Sequence, residues 1–176
     1  MKHALIAVAI AFLAACQDLP KAEDAFERGN ALLDVGDADG AIDAYNVAIQ
    51  QNIRFARAYN NRGLAHASLK KFDAAIADYE ACLALPEPFA EVYYNRGVAF
   101  YRVGRKGEAV LDFSQAIKMN PQYARAFAGR GLVFAAGGDR QSAIADYRKA
   151  LDLAPSDWAD RKAVEAEIGR LSEPKK

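Results

Sequence analysis

Residues 56–89 read ARAYNNRGLAHASLKKFDAAIADYEACLALPEPF, and residues 90–123 read AEVYYNRGVAFYRVGRKGEAVLDFSQAIKMNPQY. Laid one over the other, the two stretches place Asn61 on Asn95, Arg62 on Arg96, Gly63 on Gly97 and Ala75 on Ala109, a spacing of 34. The same period runs outward in both directions. It gives the columns Gly29/Gly63/Gly97/Gly131, Ala41/Ala75/Ala109/Ala143, Tyr45/Tyr79/Phe113/Tyr147 and Ala48/Cys82/Ala116/Ala150, with no insertion or deletion. A fixed period of this length marks a stacked-repeat architecture.

Each unit reads as two helices. Ala25, Gly29 and Leu32 are spaced four and three, one face of a first helix; Ile42, Tyr45, Ala48 and Ile49 mark a face of a second. Between them Gly36, Gly104 and Gly138 stand where a helix-ending left-handed residue is wanted. A glycine inside a helix costs roughly 1 kcal/mol relative to alanine, so four in register need a compensating reason. Close approach supplies one: glycine on the first helix facing alanine on the second lets the backbones pack tightly, with the aromatic column filling space beside them. A lone hairpin cannot cover its apolar face, so each unit stacks on the next.

The unit length and the small/aromatic pattern resemble the tetratricopeptide repeat (TPR) over about residues 22–155. The reading is therefore an all-α solenoid of four helix-turn-helix repeats, at 22–55, 56–89, 90–123 and 124–157. A capping helix follows at 158–171, started by Ser156 or Asp157 and facing inward through Val164, Ile168 and Leu171; 172–176 is a tail. Pro121 and Pro155 precede first helices as is common in the family, whereas the second repeat carries Glu87 between Pro86 and Pro88. With the phase kept, that points to an altered turn and not to a boundary.

Arg28, Arg62, Arg96 and Arg130 precede each glycine, and Asp78, Asp112 and Asp146 recur on the second helices. An ion pair within each unit is expected, of the exposed kind worth roughly 0–1 kcal/mol, with Asp43 standing in for Ala44 in the first repeat. Cys82 reads as a small buried hydrophobe. His66, in the column Leu32/His66/Phe100/Phe134, reads as a core histidine with one hydrogen-bond partner.

First helices line the concave side of such a stack. Their free columns contain Asn30, Arg57, Asn60, Tyr94, Tyr101 and Arg125, with Asn61, Asn95 and Arg102 beside them. Amides flanked by aromatics suit a bound peptide backbone, and these residues are the expected partner-binding groove; the alternative is an ordinary solvated helix face. Asn61 and Asn95, one repeat apart, resemble two rungs of the asparagine ladder in the TPR arm of O-linked N-acetylglucosamine transferase. The alternation Glu23/Arg57/Glu91/Arg125 would pair opposite charges between neighbouring repeats. The carboxylate clamp of some cochaperones is not matched, because Phe26, Glu91 and Asn95 stand where its cations belong.

The chain begins Met1-Lys2-His3, continues without a polar side chain from Ala4 to Ala15, and reaches Cys16. Twelve apolar residues are too few to span a hydrocarbon core of about 30 Å and read as a signal peptide. Leu13-Ala14-Ala15-Cys16 resembles the lipobox of bacterial lipoproteins, which implies removal of residues 1–15, acylation of Cys16 (palmitate among the acyl chains) and a lipidated tether at 16–21. An ordinary cleaved signal followed by a chance cysteine is the plainer alternative. Gln17, where some retained lipoproteins carry Asp, favours the outer membrane, facing the periplasm. Five residues separate Cys16 from Ala22, at most about 18 Å of chain, so a lipid anchor would hold the scaffold at the membrane surface.

Composition narrows the function. The 176 residues carry Lys+Arg 23 against Asp+Glu 23, which argues against a nucleic-acid partner, and two Cys and two His do not make a zinc framework. No phosphate-cradling glycine loop, nucleophile elbow or metal-ligand spacing is present, so neither enzyme activity nor a metal or other cofactor is expected. The expected role is a protein-interaction scaffold or adaptor of the bacterial cell envelope, binding a protein or peptide partner. Among lipoproteins of this layout, the resemblance points to adaptors for cell-wall hydrolases or proteases, or else to assembly factors for pili, secretion or outer-membrane proteins.

Overall fold

The structure is a computed structural model and describes residues 21–173. The expected signal peptide, the lipidation site Cys16 and the last three residues of the tail lie outside the described residues. Among the described residues there are nine helices and no strand: α1 Ala22–Asp34, α2 Ala38–Gln51, α3 Ala56–Ser68, α4 Phe72–Leu83, α5 Ala90–Arg102, α6 Lys106–Met119, α7 Ala124–Gly137, α8 Arg140–Leu153 and α9 Arg161–Ser172. They form four antiparallel hairpins, α1/α2 to α7/α8, stacked in chain order and closed by α9 against α8.

The hairpin turns repeat down to the hydrogen bond. In repeat one Gly36 N–H donates to Leu33 O (3.0 Å) and Asp37 N–H to Leu32 O (2.9 Å), the paired bonds that end a helix with a left-handed residue. Gly36, Gly104 and Gly138 have φ of 84–85°. In repeat two the place falls to Lys70, with φ 59° and the same bonds through Lys70 and Lys71. A side chain there costs about 1–2 kcal/mol that glycine does not. The irregular turn expected around Glu87 is real: Glu87 has φ 64° and α4 stops at Leu83.

The glycine column has a different reason from the one read in the sequence. A Cβ on Gly29 would lie 2.5 Å from Cε1 of Tyr45, and one on Gly63 2.5 Å from Cε1 of Tyr79. At Gly97 and Gly131 the nearest ring carbons, on Phe113 and Tyr147, lie at 3.0 Å. Each first helix thus gives up a side chain to let the aromatic ring of its own second helix lie on its backbone. The alanine column is secondary: only at Gly131 is its backbone among the nearest atoms, with Ala143 O at 3.2 Å. Tyr45, Tyr79 and Phe113 are at most 1% exposed.

The arginine–aspartate pairs form, but not at the surface. Arg96 Nε and Nη2 each donate at 2.8 Å to Asp112, and Arg130 makes the same fork to Asp146 at 2.8 and 2.9 Å. Arg62 donates to Asp78 through Nε. The three aspartates are 5–7% exposed. The spare nitrogen reaches the preceding repeat, Arg62 Nη1 to Asn46 (2.6 Å) and Arg130 Nη1 to Ser114 (3.0 Å). Each guanidinium also lies within 6 Å of an aromatic ring three residues before it, and those of Arg96 and Arg130 near one four after. Arg62 and Arg130 are thus inter-repeat clamps, whereas the Arg96–Asp112 fork stays within its own repeat, and the exposed-pair expectation is corrected by the burial of all three aspartates. In repeat one Arg28 is exposed and has no hydrogen bond to Asp43 among the described residues.

His66 takes the aromatic place beside Arg62. Its Nε2 is 3.7 Å from Asp78, too long for a hydrogen bond, and Nδ1 is buried without a partner, so the expected single partner is missing. Burial first, then Arg62 and Lys71 nearby, hold its pKa down against the pull of Asp78. Cys82 is the small buried hydrophobe expected: its thiol donates to Ala56 O at 3.2 Å, and burial raises its pKa to about 11.

The capping helix begins at Arg161, not at 158, and neither Ser156 nor Asp157 caps it. Trp158 falls in the column Ala22/Ala56/Ala90/Ala124, the first residue of every preceding first helix. Trp158 instead sits in a turn, its backbone N–H donating to Pro155 O (3.1 Å) and its carbonyl accepting from Arg161 N–H (3.0 Å), with the indole packed against the terminal core before the helix starts. Arg161 then bonds Leu151 O (3.0 Å) and Ala154 O (3.1 Å), closing the end of α8. Val164 and Leu171 are buried as expected, and Ile168 packs against them.

Candidate functional groove

The expected groove residues divide into two groups. The asparagines are spent on each other. Asn95 Nδ2 donates to Asn60 Oδ1 (3.0 Å), Asn60 Nδ2 to Asn61 Oδ1 (3.0 Å) and Asn61 Nδ2 to Asn30 Oδ1 (2.9 Å), where the Tyr45 hydroxyl also arrives at 2.9 Å. Asn60 and Asn95 are buried. Amides on adjacent first helices thus form one chain across three repeats. It fixes the stacking register and leaves little capacity for a bound backbone. Arg57 stays exposed, 3.7 Å from Glu23 and over the rings of Phe26 and Phe55 at 5.1 and 5.4 Å, at the far end of the solenoid from the other groove cations. The expected inter-repeat charge pairing therefore occurs at Glu23–Arg57, while no Glu91–Arg125 bridge forms among the described residues.

Tyr94, Tyr101, Arg102 and Arg125 come together elsewhere. They line a cavity of about 450 Å³ between α5, α7 and α9, a volume within the range of ligand sites. Phe113, Gly129 and Tyr147 form its floor. Trp158, Asp160 and Glu167 bring the closing helix and its lead-in to the opposite wall, and Leu132 at the rim is 43% exposed.

Repeat four opens this space by having small residues where earlier repeats are large. The column Phe26/Asn60/Tyr94 ends in Ala128, and Glu27/Asn61/Asn95 ends in Gly129. A Cβ on Gly129 would lie 2.8 Å from Phe113, so the ring sits directly on that backbone. The amide chain stops where the cavity begins. Tyr94 stacks at tilted angles on Phe113 and Tyr123, with centroids 5.8 and 5.2 Å away. Burial raises the Tyr94 and Tyr147 pKa values, that of Tyr147 to about 12, with Glu167 and Tyr101 adding to the effect at Tyr147. Both hydroxyls are therefore neutral donors at ordinary pH. The sequence reading missed Trp158, Asp160 and Glu167, while Leu132 stands in the same groove column as Asn30. The visible signals were the interruptions at Ala128, Gly129 and Trp158 in otherwise regular columns.

Among the described residues no group of three or more His, Cys, Asp or Glu side chains is placed to hold a metal ion, and no helix is long and apolar enough to cross a membrane.

The architecture is that of an all-α helical-hairpin solenoid with an aromatic cavity at its C-terminal end. Models of the tetratricopeptide repeat match residues 94–157 and 56–85, and a further TPR-repeat model matches residues 29–70. The chain is a tetratricopeptide-repeat protein. No curated protein is a significant match. Among solved structures it is similar to the MamA protein, with 25% identity and a TM-score of 0.75 over 85% of this chain and 80% of that one. It is also similar to the first TPR of Spaghetti (RPAP3) bound to the HSP90 peptide SRMEEVD, at 27% identity and a TM-score of 0.66, covering 69% of this chain and 96% of that one. YrrB, described as a TPR protein with an unusual peptide-binding site, shares the fold at 16% identity and a TM-score of 0.71, over 93% of this chain and 80% of that one.

Proposed function

We propose that this protein is an adaptor of the bacterial envelope, held at the outer membrane by lipid on Cys16, that recruits a protein partner by taking a peptide segment of it into the concave groove. The reading makes it a binding protein and not a catalyst. The observation that carries it is the cavity between α5, α7 and α9, built from aromatic walls and the small residues Ala128 and Gly129. Ala128 and Gly129, standing where earlier repeats carry larger residues, leave an open aromatic-lined hollow of about 450 Å³ that a partner's side chain can enter. A peptide-bound TPR relative at 27% identity supports the same use of the fold. The lipobox-like Leu13-Ala14-Ala15-Cys16 and the short tether support the envelope address.

The test is capture from detergent-solubilised envelopes with the wild-type protein and two variants. Leu132→Asp places a charge at the cavity rim, and Ala128→Leu fills its interior. Both are expected to lose a partner that the wild type retains. Asn61→Ala, in the internal amide chain, serves as the structural comparison. Retention of every partner by both cavity variants, with the helical fold intact by circular dichroism, refutes the groove.

A further inference from the structure

The earlier repeats show what the cavity lacks. In repeat one the ring of Phe26 lies 5.9 Å from that of Tyr45 and 4.9 Å from that of Phe55, which opens the next repeat. In repeat three Tyr94 does the same, 5.8 Å from Phe113 and 5.2 Å from Tyr123. Among the described residues the outer rings of each set do not stack on each other; the middle ring joins them. That ring comes from the first helix, in the column Phe26/Asn60/Tyr94/Ala128. Repeat two has Asn60 there, buried and held in the amide chain.

Repeat four keeps the outer pair and loses the middle. Tyr147 takes the place of Tyr45 and Phe113, and Trp158 stands one residue past the column of Phe55 and Tyr123. Both line the cavity, and where the middle ring would start Ala128 offers only a methyl. The charges around this space answer one another. Arg125 and Asp160 act on Tyr94 in opposite senses, and Arg170 and Glu167 do so on Tyr147. Glu167 itself accepts from Arg170 at 2.7 Å. Arg102 is exposed and keeps its charge in water. A neutral occupant meets no unbalanced field here, whereas a charged one gives up its hydration without a dedicated partner.

We infer that the cavity is a slot for one aromatic side chain of the partner segment, which completes from outside the three-ring set that repeats one and three complete from their own first helices. This rests on the groove reading and adds the side chain that anchors the segment. The incoming ring lies over Ala128 and meets Tyr147 and Trp158. Stacking on rings adds to the area buried, and this sets an aromatic side chain apart from an aliphatic one of equal size.

Trp158 is the single tryptophan and lines the cavity, so its indole N–H gives one cross-peak in a nitrogen–proton correlation spectrum and reports occupancy. The probes are N-acetyl-phenylalaninamide and N-acetyl-cyclohexylalaninamide, alike in size and differing in whether the ring has a π face. Both are expected to shift that peak, the aromatic probe binding about tenfold more tightly. Ala128→Phe supplies the missing ring from within; it should melt a few degrees higher and abolish the shift with either probe. Equal affinity for the two probes, or no shift with the aromatic one, overturns the assignment. A peak that still moves in Ala128→Phe puts the probe elsewhere, and a lowered melting temperature shows that the space does not fit a ring; either result overturns it as well. These outcomes are separate from partner capture: lost partners with no aromatic preference would sink this inference alone, and retained partners in both Leu132→Asp and Ala128→Leu would sink the groove.

Discussion

The glycine column offers a test in which one substitution has different outcomes at different places. At Gly63 an added methyl lands 2.5 Å from Tyr79 Cε1, 2.9 Å from Cδ1 and 3.0 Å from Cζ. Carbon atoms rest about 3.5–4.0 Å apart, so the ring must retreat by roughly 1 Å. Tyr79 is 1% exposed and has nowhere to go without moving the neighbouring helices. Overpacking of this kind costs about 1–3 kcal/mol, while replacing a mid-helix glycine by alanine returns about 0.8–1.0 kcal/mol. The two terms net to about 0–2 kcal/mol of destabilisation; with a 2.5 Å contact to a fully buried ring Gly63→Ala is expected at the upper end, lowering Tm by roughly 2–4 °C per kcal/mol. At Gly97 the nearest atoms are Phe113 Cε1 at 3.0 Å and Asp112 Cβ at 3.3 Å; small adjustments suffice, and the two terms nearly cancel. Gly169 in α9 has no neighbour within 4 Å, and alanine there should stabilise by about 1 kcal/mol. Urea denaturation followed at 222 nm reads all three. An unchanged or raised midpoint for Gly63→Ala, or the same shift at all three positions, refutes the ring-on-backbone account.

Lys70→Gly relieves the one side chain held left-handed in a hairpin turn, and its melting temperature should rise by a few degrees. Arg96→Met leaves Asp112 buried without its cation and is expected to cost about 3–5 kcal/mol by urea melts. Arg96→Met with Asp112→Leu should recover most of that loss, and a double variant as unstable as the single one argues against an uncompensated buried charge as the cause. Tyr45 and Tyr147 have pKa values raised by burial from 10.0 to about 12. Their contribution is full below pH 10 and is lost as pH rises toward 12, on the order of 2 kcal/mol for each ring. Absorbance at 295 nm should show these rings ionising together with unfolding; titration at the ordinary value in a folded chain contradicts their burial. Cys16→Ser should move the protein from the membrane pellet to the soluble fraction, and continued pelleting would show a different anchor.

The period carried most of the architecture, because glycine, alanine and aromatic residues at fixed spacing each answer a backbone requirement that recurs in every unit. The hairpin bounds and the odd turn at Glu87 were legible for that reason. The direction of polar side chains was not. Asn60, Asn61 and Asn95 sit on the expected helices, but an amide reads the same whether it bonds to a ligand or to the next repeat. The burial of Asp78, Asp112 and Asp146 was hidden because a charge in a column does not reveal how closely the next repeat covers it. The cavity depends on exceptions: Ala128, Gly129 and Trp158 matter because they differ from their columns, and a search for regularity passes over them.

The most direct test of the whole account is photocrosslinking in intact cells with p-benzoylphenylalanine placed singly at Leu132, on the cavity rim, and at Leu111, an exposed residue of α6 outside the cavity. The account predicts a discrete adduct at 132 that disappears when Ala128→Leu is added, and none at 111. An adduct at 111 alone, or one at 132 indifferent to the filled cavity, would place recognition on another face of the solenoid.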